Sequence, residues 1–162
     1  MSSASRFIEL VIFDLDGTLI HSAPDIVATT NELMHRRNRP LLSETVIVNA
    51  IGEGLMELIY NCFPDVKDDR AEIELITRDF ARVYEENLLK RTTIYDGVLQ
   101  FLDEASTGSR PRKVAIVTNK RIAWTRKTLA GLKLDRFPWV KVFGADSLSE
   151  RKPHPLPLLE VM

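Results

Sequence analysis

The most constraining feature of this sequence is an apolar segment that ends abruptly in acidic residues. Residues 7–13 are mostly apolar, and Asp14, Asp16 and Gly17 follow them directly. A short apolar run bounded by a turn predicts a parallel strand that is buried on both faces. Acids placed directly after such a strand indicate a functional loop at its carboxyl end. This junction therefore predicts the first strand of a core sheet together with a site.

The next seventy or so residues, 22–91, show helical periodicity and no strand pattern. Ser22 and Ser43 are placed to cap two helices. Glycines interrupt the helical pattern at residues 52–54, and an apolar stripe over residues 69–90 predicts a longer helix. We therefore predict a helical insertion directly after the first strand.

Strands and helices alternate again after this helical block. Residues 113–118 and 140–143 have the apolar character of buried strands, and residues 121–132 between them predict a helix. A strand, a helical block and then alternating helices and strands describe an α/β fold with a parallel sheet and a helical insertion. A rigid, proline-rich loop at residues 151–155 precedes a final helical start.

The composition excludes several classes of protein. Lys and Arg number 22 against 23 Asp and Glu, so there is no basic field to bind nucleic acid or an acidic membrane. Cys62 is the only cysteine, which excludes an intramolecular disulfide and a cysteine-based metal site. Residues 1–6 and the short apolar run after them match neither a signal peptide nor a membrane span. We expect a cytoplasmic protein of one domain or slightly more.

Four polar residues are predicted to meet at one edge of the sheet. Asp14 and Asp16 follow the first strand and Thr118 and Asn119 follow the second, and ligands of such sheets bind beyond the carboxyl ends of the strands. The two carboxylates lie near one point, and Gly17 lets backbone N–H groups approach a ligand. One carboxylate can attack phosphorus while the other transfers protons. The alternative is that Asp-Gly forms a simple solvated turn.

Attack by an aspartate on a phosphate monoester requires positive charge, because the two anions repel each other. A hard, oxygen-ligated cation and further donors around the phosphoryl group meet that requirement. Thr118 offers a hydroxyl to a phosphoryl oxygen, although it is also placed to act only as a helix cap. Lys152 offers an ammonium group, although it is also one exposed lysine among many.

Three segments of the chain resemble motifs one, two and three of the haloacid dehalogenase superfamily in order and spacing. They are Asp14-Leu15-Asp16-Gly17-Thr18, Val117-Thr118-Asn119-Lys120 and Arg151-Lys152-Pro153-His154-Pro155. Other segments are similar to the phosphoglycolate phosphatase branch, so that the resemblance extends over nearly the whole chain. These are Ser22-Ala23-Pro24-Asp25, Gly52-Glu53-Gly54, Asp96-Gly97-Val98 and Gly144-Ala145-Asp146-Ser147-Leu148.

The resemblance implies a role for individual residues. Asp14 is expected to be the nucleophile and a Mg²⁺ ligand, and Asp16 the general acid/base and a second Mg²⁺ ligand through its main-chain carbonyl. Thr118 is expected to bind the phosphoryl group and Lys152 to stabilise its charge. The expected substrate-binding residues are Gly17, Thr18, Asn119, Gly52, Glu53 and Gly54.

The resemblance also implies a division of the chain into two units. Residues 1–21 and 92–162 are expected to form the Rossmann-like core of this superfamily. Residues 22–91 are expected to form an inserted α-helical cap domain, which is mobile, closes over the site and selects the substrate. The loop at residues 52–54 would then face the phosphate site.

The function implied by the resemblance is Mg²⁺-dependent phosphomonoester hydrolysis through a phospho-aspartate, on 2-phosphoglycolate or a similar small phosphorylated metabolite. One alternative is phosphoryl transfer of the phosphoglucomutase kind, because capped relatives include such enzymes. A second alternative is a catalytically inactive, truncated relative, and a third is a fragment of a longer active enzyme. The superfamily's fourth motif, an acidic segment on a further strand, is expected after motif three, and this chain ends at Met162. Without that strand the first strand would have an uncovered edge. The sequence leaves the oligomeric state open.

Overall fold

The computed structural model describes residues 7–162 as an α/β fold with two sheets. The strands are β1 (Leu10–Phe13), β2 (Ile20–His21), β3 (Thr93–Ile94), β4 (Lys113–Val117) and β5 (Trp139–Phe143). The helices are α1 (Ala23–Arg36), α2 (Glu44–Asn49), α3 (Leu55–Cys62), α4 (Arg70–Asn87), α5 (Val98–Thr107), α6 (Ile122–Gly131) and α7 (Leu156–Leu159), with a 3-10 turn at Pro64–Val66. None of the helices in this part of the chain has both the length and the apolar character needed to cross a bilayer.

The main sheet is parallel and has the strand order β1-β4-β5. Phe13 lies opposite Ile116, and Val117 lies opposite Phe143, so that all three strands end at the same edge. Four of the five residues of β4 are buried, since this strand lies between the other two. The parallel sheet predicted from the apolar runs is confirmed.

The first strand differs from its prediction in length and in burial. It begins at Leu10 rather than Phe7, and the side chains of Phe7 and Ile8 are exposed. All four residues of β1 are half-buried, which corrects the expectation of burial on both faces. The physical reason is that, within residues 7–162, β1 pairs with β4 only. The uncovered edge that was expected for this strand is therefore present in the described part of the chain.

The helical block is confirmed, and its apolar residues pack mainly on one another. Helices α1 to α4 follow each other without an intervening strand. Leu33 of α1, Ile76 and Val83 of α4 and Trp124 of α6 belong to one buried cluster. A second cluster lies under the main sheet and includes Ile116. Two clusters are compatible with a core and an inserted helical unit, and the domain boundaries themselves stay a prediction.

A two-stranded antiparallel ribbon closes the helical block and was not predicted. Ile20 pairs with Ile94 where the chain enters and leaves the block. Beside the ribbon, the buried carboxylate of Asp25 accepts hydrogen bonds from the N–H of Arg91 at 2.8 Å and of Thr92 at 3.0 Å. It also accepts one from the Thr92 hydroxyl at 2.6 Å. Asp25 therefore ties the first turn of α1 to the segment that follows α4.

One of the two predicted serine caps is confirmed and the other is wrong. The Ser43 hydroxyl accepts a hydrogen bond from Val46 N–H at 3.4 Å and caps α2. Ser22 precedes α1 but makes no side-chain cap, because its hydroxyl donates to a carboxylate oxygen of Asp16 at 2.5 Å. A cap residue normally has extended backbone, whereas the backbone of Ser22 is already helical, with φ −96° and ψ −7°.

The buried thiol of Cys62 provides a test of the helical packing. Burial raises the pKa of Cys62 to about 11, which lowers its thiolate fraction at pH 8. Because the thiolate is the reactive form, we expect a disulfide reagent such as Ellman's to label the native protein at least ~100-fold more slowly than the urea-unfolded chain. Equal labelling rates in the two states, followed at 412 nm, would contradict the packing of α3.

The Asp25 contacts provide a test of the ribbon region. We expect Asp25→Asn to lower the free energy of unfolding by roughly 2–4 kcal/mol, because the amide replaces an acceptor oxygen with a donor that faces N–H groups. Urea denaturation followed by circular dichroism measures the change. The exposed Asp103, 3.9 Å from Arg136, is the matched control, and Asp103→Asn should change the stability by less than about 0.5 kcal/mol. Equal effects of the two substitutions would contradict the assignment.

Candidate functional site

The parallel pairing of β1 and β4 brings the predicted acidic and hydroxyl residues to one edge of the sheet. Asp14 follows β1 directly, and Thr118 follows β4 directly. Strand β5 contributes through its carboxyl end, where the Phe143 carbonyl accepts a hydrogen bond from Thr118 N–H at 3.0 Å. This is the edge at which parallel α/β sheets bind ligands.

Asp14 is paired with Lys152. One carboxylate oxygen of Asp14 lies 3.0 Å from Nζ of Lys152, and the other accepts a hydrogen bond from Leu15 N–H at 2.7 Å. The two side chains are partly exposed, with 32% of Asp14 and 24% of Lys152 accessible. The structure thus brings together two residues that are 138 positions apart in the chain, and both remain reachable from solvent.

Asp16 is paired with a different lysine, which is buried. Nζ of Lys120 lies 3.0 and 3.3 Å from the two carboxylate oxygens of Asp16. The Lys120 ammonium also donates to the Tyr84 hydroxyl at 2.6 Å. The side chain of Lys120 is only 4% exposed and that of Asp16 is 13% exposed. Ser22 adds its hydrogen bond to Asp16, so that the second carboxylate has two side-chain partners, Lys120 and Ser22.

The charge on Lys120 is stabilised by these neighbours. Burial alone lowers the pKa of the Lys120 ammonium, but the attraction of Asp16 and the hydrogen bond to Tyr84 outweigh burial and raise it. Burial raises the pKa of the Tyr84 hydroxyl, and the nearby Lys120 only partly opposes this shift. At neutral pH the site therefore contains a charged Lys120 and a neutral Tyr84.

Lys120 and Tyr84 are site residues to which the sequence analysis gave no role. Lys120 follows Asn119 in the second motif. The only sequence signal that could have indicated a role in the site is its position, as a basic residue three positions beyond a strand end. Tyr84 was assigned to the apolar stripe of a long helix, and it does pack in that cluster. Its hydroxyl, however, points at the site.

Thr118 is buried and keeps a hydroxyl hydrogen for a ligand. Its Oγ1 accepts a hydrogen bond from Lys120 N–H at 3.2 Å, which is a cap-like contact in the loop before α6. Because that bond occupies a lone pair, the hydroxyl can still donate. The alternative that Thr118 acts only as the cap of α6 is wrong, because the N-cap position is Arg121, whose side chain makes no cap hydrogen bond. The Thr118 hydroxyl remains compatible with the predicted role of phosphoryl donor.

Asn119 links two loops across the site. Its amide nitrogen donates to the Gly52 carbonyl at 3.0 Å and to the Lys152 carbonyl at 3.1 Å. The amide oxygen is buried and has no hydrogen-bond partner among the residues that the structure describes. Asn119 therefore holds the helical block and the Lys152 loop together at the site.

Of the loop at residues 52–54, where glycines interrupt the helical pattern, only part lines the site. Gly52 and Gly54 line the cleft beside Asp14 and Asp16, and Glu53 is exposed outside it. Gly54 has φ +100°, and a Cβ there would lie 3.1 Å from Nη1 of Arg151. This close approach, combined with the left-handed backbone, favours glycine at the position.

Gly17 and Thr18 lie apart from the cleft. Both are exposed and neither lines it. The Gly17 N–H donates to the Ile20 carbonyl at 2.9 Å, and the Thr18 N–H donates to the Leu15 carbonyl at 3.3 Å. The turn thus uses the two N–H groups that were predicted to bind phosphate, and a substrate-binding role for Gly17 and Thr18 stays a prediction.

The cleft has an acidic end and an apolar wall. The cleft is open to solvent and lies between the sheet edge and the helical block. Asp14, Asp16 and Thr118 line the sheet side, and Arg121 and Lys120 are the cationic residues of the lining. Apolar and aromatic side chains cover the opposite side; they include Ile26, Ile51, Leu55, Leu58, Phe80, Tyr84 and Trp124.

The donor atoms at the acidic end fit Mg²⁺. Among residues 7–162, no group of three or more His, Cys, Asp and Glu side chains is arranged to hold a metal. Mg²⁺, however, is commonly bound by one or two carboxylate residues, with water and substrate phosphate as the remaining ligands. Asp14 and Asp16 provide hard oxygen donors at the place where a phosphate would enter, which meets that requirement.

Comparisons with known proteins agree with the motifs. A family model for haloacid dehalogenase-like hydrolases matches residues 11–162. A phosphoglycolate phosphatase from Xanthomonas campestris pv. campestris strain 8004 is 36% identical over 161 residues, covering 95% of this chain and 67% of that protein. One from Nitrosococcus oceani is 34% identical over 154 residues, covering 93% of this chain and 67% of that protein.

A solved structure shows the same fold. The crystal structure of a predicted phosphoglycolate phosphatase from Haemophilus somnus 129pt superposes with a TM-score of 0.86 and 29% sequence identity. It covers 95% of this chain and 70% of that one. The chain thus spans about two thirds of the length of the relatives that it matches. The family model and these relatives confirm the resemblance of the three motifs: the chain belongs to the haloacid dehalogenase-like hydrolase family and is similar to its phosphoglycolate phosphatases.

Proposed function

We propose that this protein is a Mg²⁺-dependent phosphomonoester hydrolase that forms a phospho-aspartate at Asp14. The observation that supports this proposal most is the pairing of two neighbouring carboxylates with two separate lysines beside Thr118. Asp14 contacts the partly exposed Lys152, and Asp16 contacts the buried Lys120. The two acids therefore have different environments, which suits two different roles.

Asp14 is the proposed nucleophile because it is the more accessible acid and has a partly exposed cation beside it. An oxygen of Asp14 attacks phosphorus, the P–O bond to the substrate alcohol breaks, and an acyl-phosphate forms. The Lys152 ammonium, 3.0 Å from the carboxylate, can follow the negative charge onto the phosphoryl oxygens. The Thr118 hydroxyl donates to one of those oxygens.

Asp16 is the proposed general acid and base. It gives a proton to the departing alcohol oxygen in the first step, and it removes a proton from the water that hydrolyses the acyl-phosphate in the second. Inorganic phosphate and free Asp14 result. The hydrogen bond from Ser22 and the contacts with Lys120 hold the Asp16 carboxylate in place for both transfers.

Mg²⁺ would be held by the Asp14 carboxylate and the Asp16 main-chain carbonyl and would supply positive charge that offsets the repulsion between Asp14 and the phosphate. The proposed substrate is 2-phosphoglycolate or a similarly small phosphorylated metabolite, as the names of the relatives suggest. The apolar wall of the cleft and the exposed Arg121 in its lining support a small substrate with one further anionic group. The cytoplasmic location stays a prediction.

Substitution of Asp14 tests the proposed nucleophile. We expect Asp14→Asn to reduce the release of phosphate from 2-phosphoglycolate by at least ~10³-fold, because an amide oxygen is a poor nucleophile and a poor Mg²⁺ ligand. Malachite-green detection of phosphate in the presence of Mg²⁺ measures the rate. Asp103→Asn serves as the control and should retain full activity. Undiminished turnover by Asp14→Asn would rule out the phospho-aspartate.

Substitution of Lys152 tests the charge-stabilising role. We expect Lys152→Met to lower kcat by about 10²-fold, with excess Mg²⁺ unable to restore it, because a fixed positive charge at the transferred phosphoryl is lost. The exposed Lys141 provides the matched control substitution, Lys141→Met. If both variants kept the wild-type kcat, Lys152 would be the ordinary surface lysine of the alternative reading.

The same assay separates the two alternatives to hydrolysis. Release of inorganic phosphate without a bisphosphate activator is expected for a hydrolase and not for phosphoryl transfer of the phosphoglucomutase kind. Absence of any turnover by the wild-type chain with Mg²⁺ would instead favour the catalytically inactive alternative.

A further inference from the structure

A buried lysine connects the proposed acid/base to a helix of the helical block. The Tyr84 hydroxyl, Lys120 Nζ and the Asp16 carboxylate form a continuous chain of contacts at 2.6 Å and 3.0 Å. Tyr84 lies on α4, Lys120 follows β4, and Asp16 follows β1. Three separate parts of the chain therefore determine where the Asp16 carboxylate lies.

The Tyr84 end of this chain is held by packing. Tyr84 is 2% exposed, and its ring contacts Trp124 of α6 edge-on at a centroid distance of 5.0 Å. Phe80, one turn earlier on α4, lies at 5.5 Å. The hydroxyl therefore cannot turn away unless α4 separates from α6.

The Lys120 backbone is fixed by the core. Its N–H donates to Thr118 Oγ1 at 3.2 Å, and its carbonyl accepts from Ala145 N–H at 2.9 Å. Ala145 follows Gly144, where a Cβ would come within 2.7 Å of the same Lys120 carbonyl. The backbone of the loop is thus immobilised, and only the end of the lysine side chain has freedom of position.

That freedom is removed by the need to satisfy a buried charge. An ammonium group away from water requires hydrogen-bond acceptors, and leaving it without them is strongly unfavourable. Asp16 and Tyr84 are the acceptors present. Since Tyr84 fixes the ammonium on one side, the carboxylate of Asp16 is fixed on the other.

We propose that Lys120 and Tyr84 are positioning residues that hold Asp16 in the orientation for proton transfer, so that this transfer depends on the docking of α4. The inference rests on the proposed function. Lys120 acts through Asp16 and not on the phosphoryl group, since its side chain is 4% exposed and already paired. In this arrangement the lysine that orients the acid/base beside Ser22 is held in place only while α4 packs on α6.

Leaving groups of different basicity provide the test. Departure of glycolate from 2-phosphoglycolate needs a proton, whereas p-nitrophenolate departs from p-nitrophenyl phosphate without one. We expect Lys120→Met to lower kcat/KM for 2-phosphoglycolate by about 10²-fold and Tyr84→Phe to lower it by about 10-fold. For p-nitrophenyl phosphate, each variant should lower kcat/KM by less than about threefold. The ratio kcat/KM reports the steps up to the departure of the leaving group, and KM should change little.

Two further variants separate positioning from other effects. Lys127 of α6 contacts Glu85 of α4 at 3.2 Å on the exposed side of the same helix pair, and Lys127→Met should leave both substrates unaffected. In an Asp16→Asn background, Lys120→Met should lower kcat/KM for 2-phosphoglycolate by less than about a further threefold. The reason is that the effects of substitutions at residues that act as a unit are not additive. Tyr84→Phe keeps the packed ring, so that it tests the inference even if Lys120→Met does not fold.

The outcomes are distinct. Turnover of neither ester by the wild-type protein would overturn the proposed function. Turnover by the wild type with equal losses for both esters in Tyr84→Phe and Lys120→Met would overturn the positioning role and leave the proposed function intact. A full additional loss from Lys120→Met in the Asp16→Asn background would show that Lys120 acts directly on the phosphoryl group, which would also overturn the inference.

Discussion

The site depends on the neutralisation of two carboxylates that the end of one strand forces close together. Asp14 and Asp16 are separated by one residue, and both would repel a phosphate. Each is paired with its own lysine, Lys152 or Lys120, which the fold brings from more than one hundred residues away. The two pairs differ in exposure, and this difference separates a reachable carboxylate from a shielded one.

The parallel sheet makes those pairings possible. Because β1 and β4 run in the same direction and in register, the loops that follow them meet at one edge. The Lys152 loop reaches the same edge, where Asn119 donates to its backbone and to Gly52 of the helical block. A single amide thus joins three segments that the chain order keeps apart.

Much of the fold was predictable from local patterns, and the exceptions have physical causes. Apolar runs located β4 and β5 to within one residue, because buried strands require such runs. The first strand is shorter and more exposed than its composition indicated, since it pairs on one side only in the described residues. The β2–β3 ribbon consists of two residues in each strand, too few for a pattern. The cap predicted at Ser22 is wrong because sequence spacing does not show which acceptor a hydroxyl will meet.

The sequence by itself determined the chemistry that is available: two acids beyond an apolar strand, a threonine beyond another and a lysine in a proline-rich loop. These follow from residue type and from position relative to strand ends, which are local properties. Only the tertiary structure decided that Lys120 is buried against Asp16, that Tyr84 of a helical stripe turns its hydroxyl to that lysine, and that Gly17 and Thr18 use their N–H groups within their own turn. The partner of a buried charge or hydroxyl depends on distant segments meeting in three dimensions, and no local pattern specifies it.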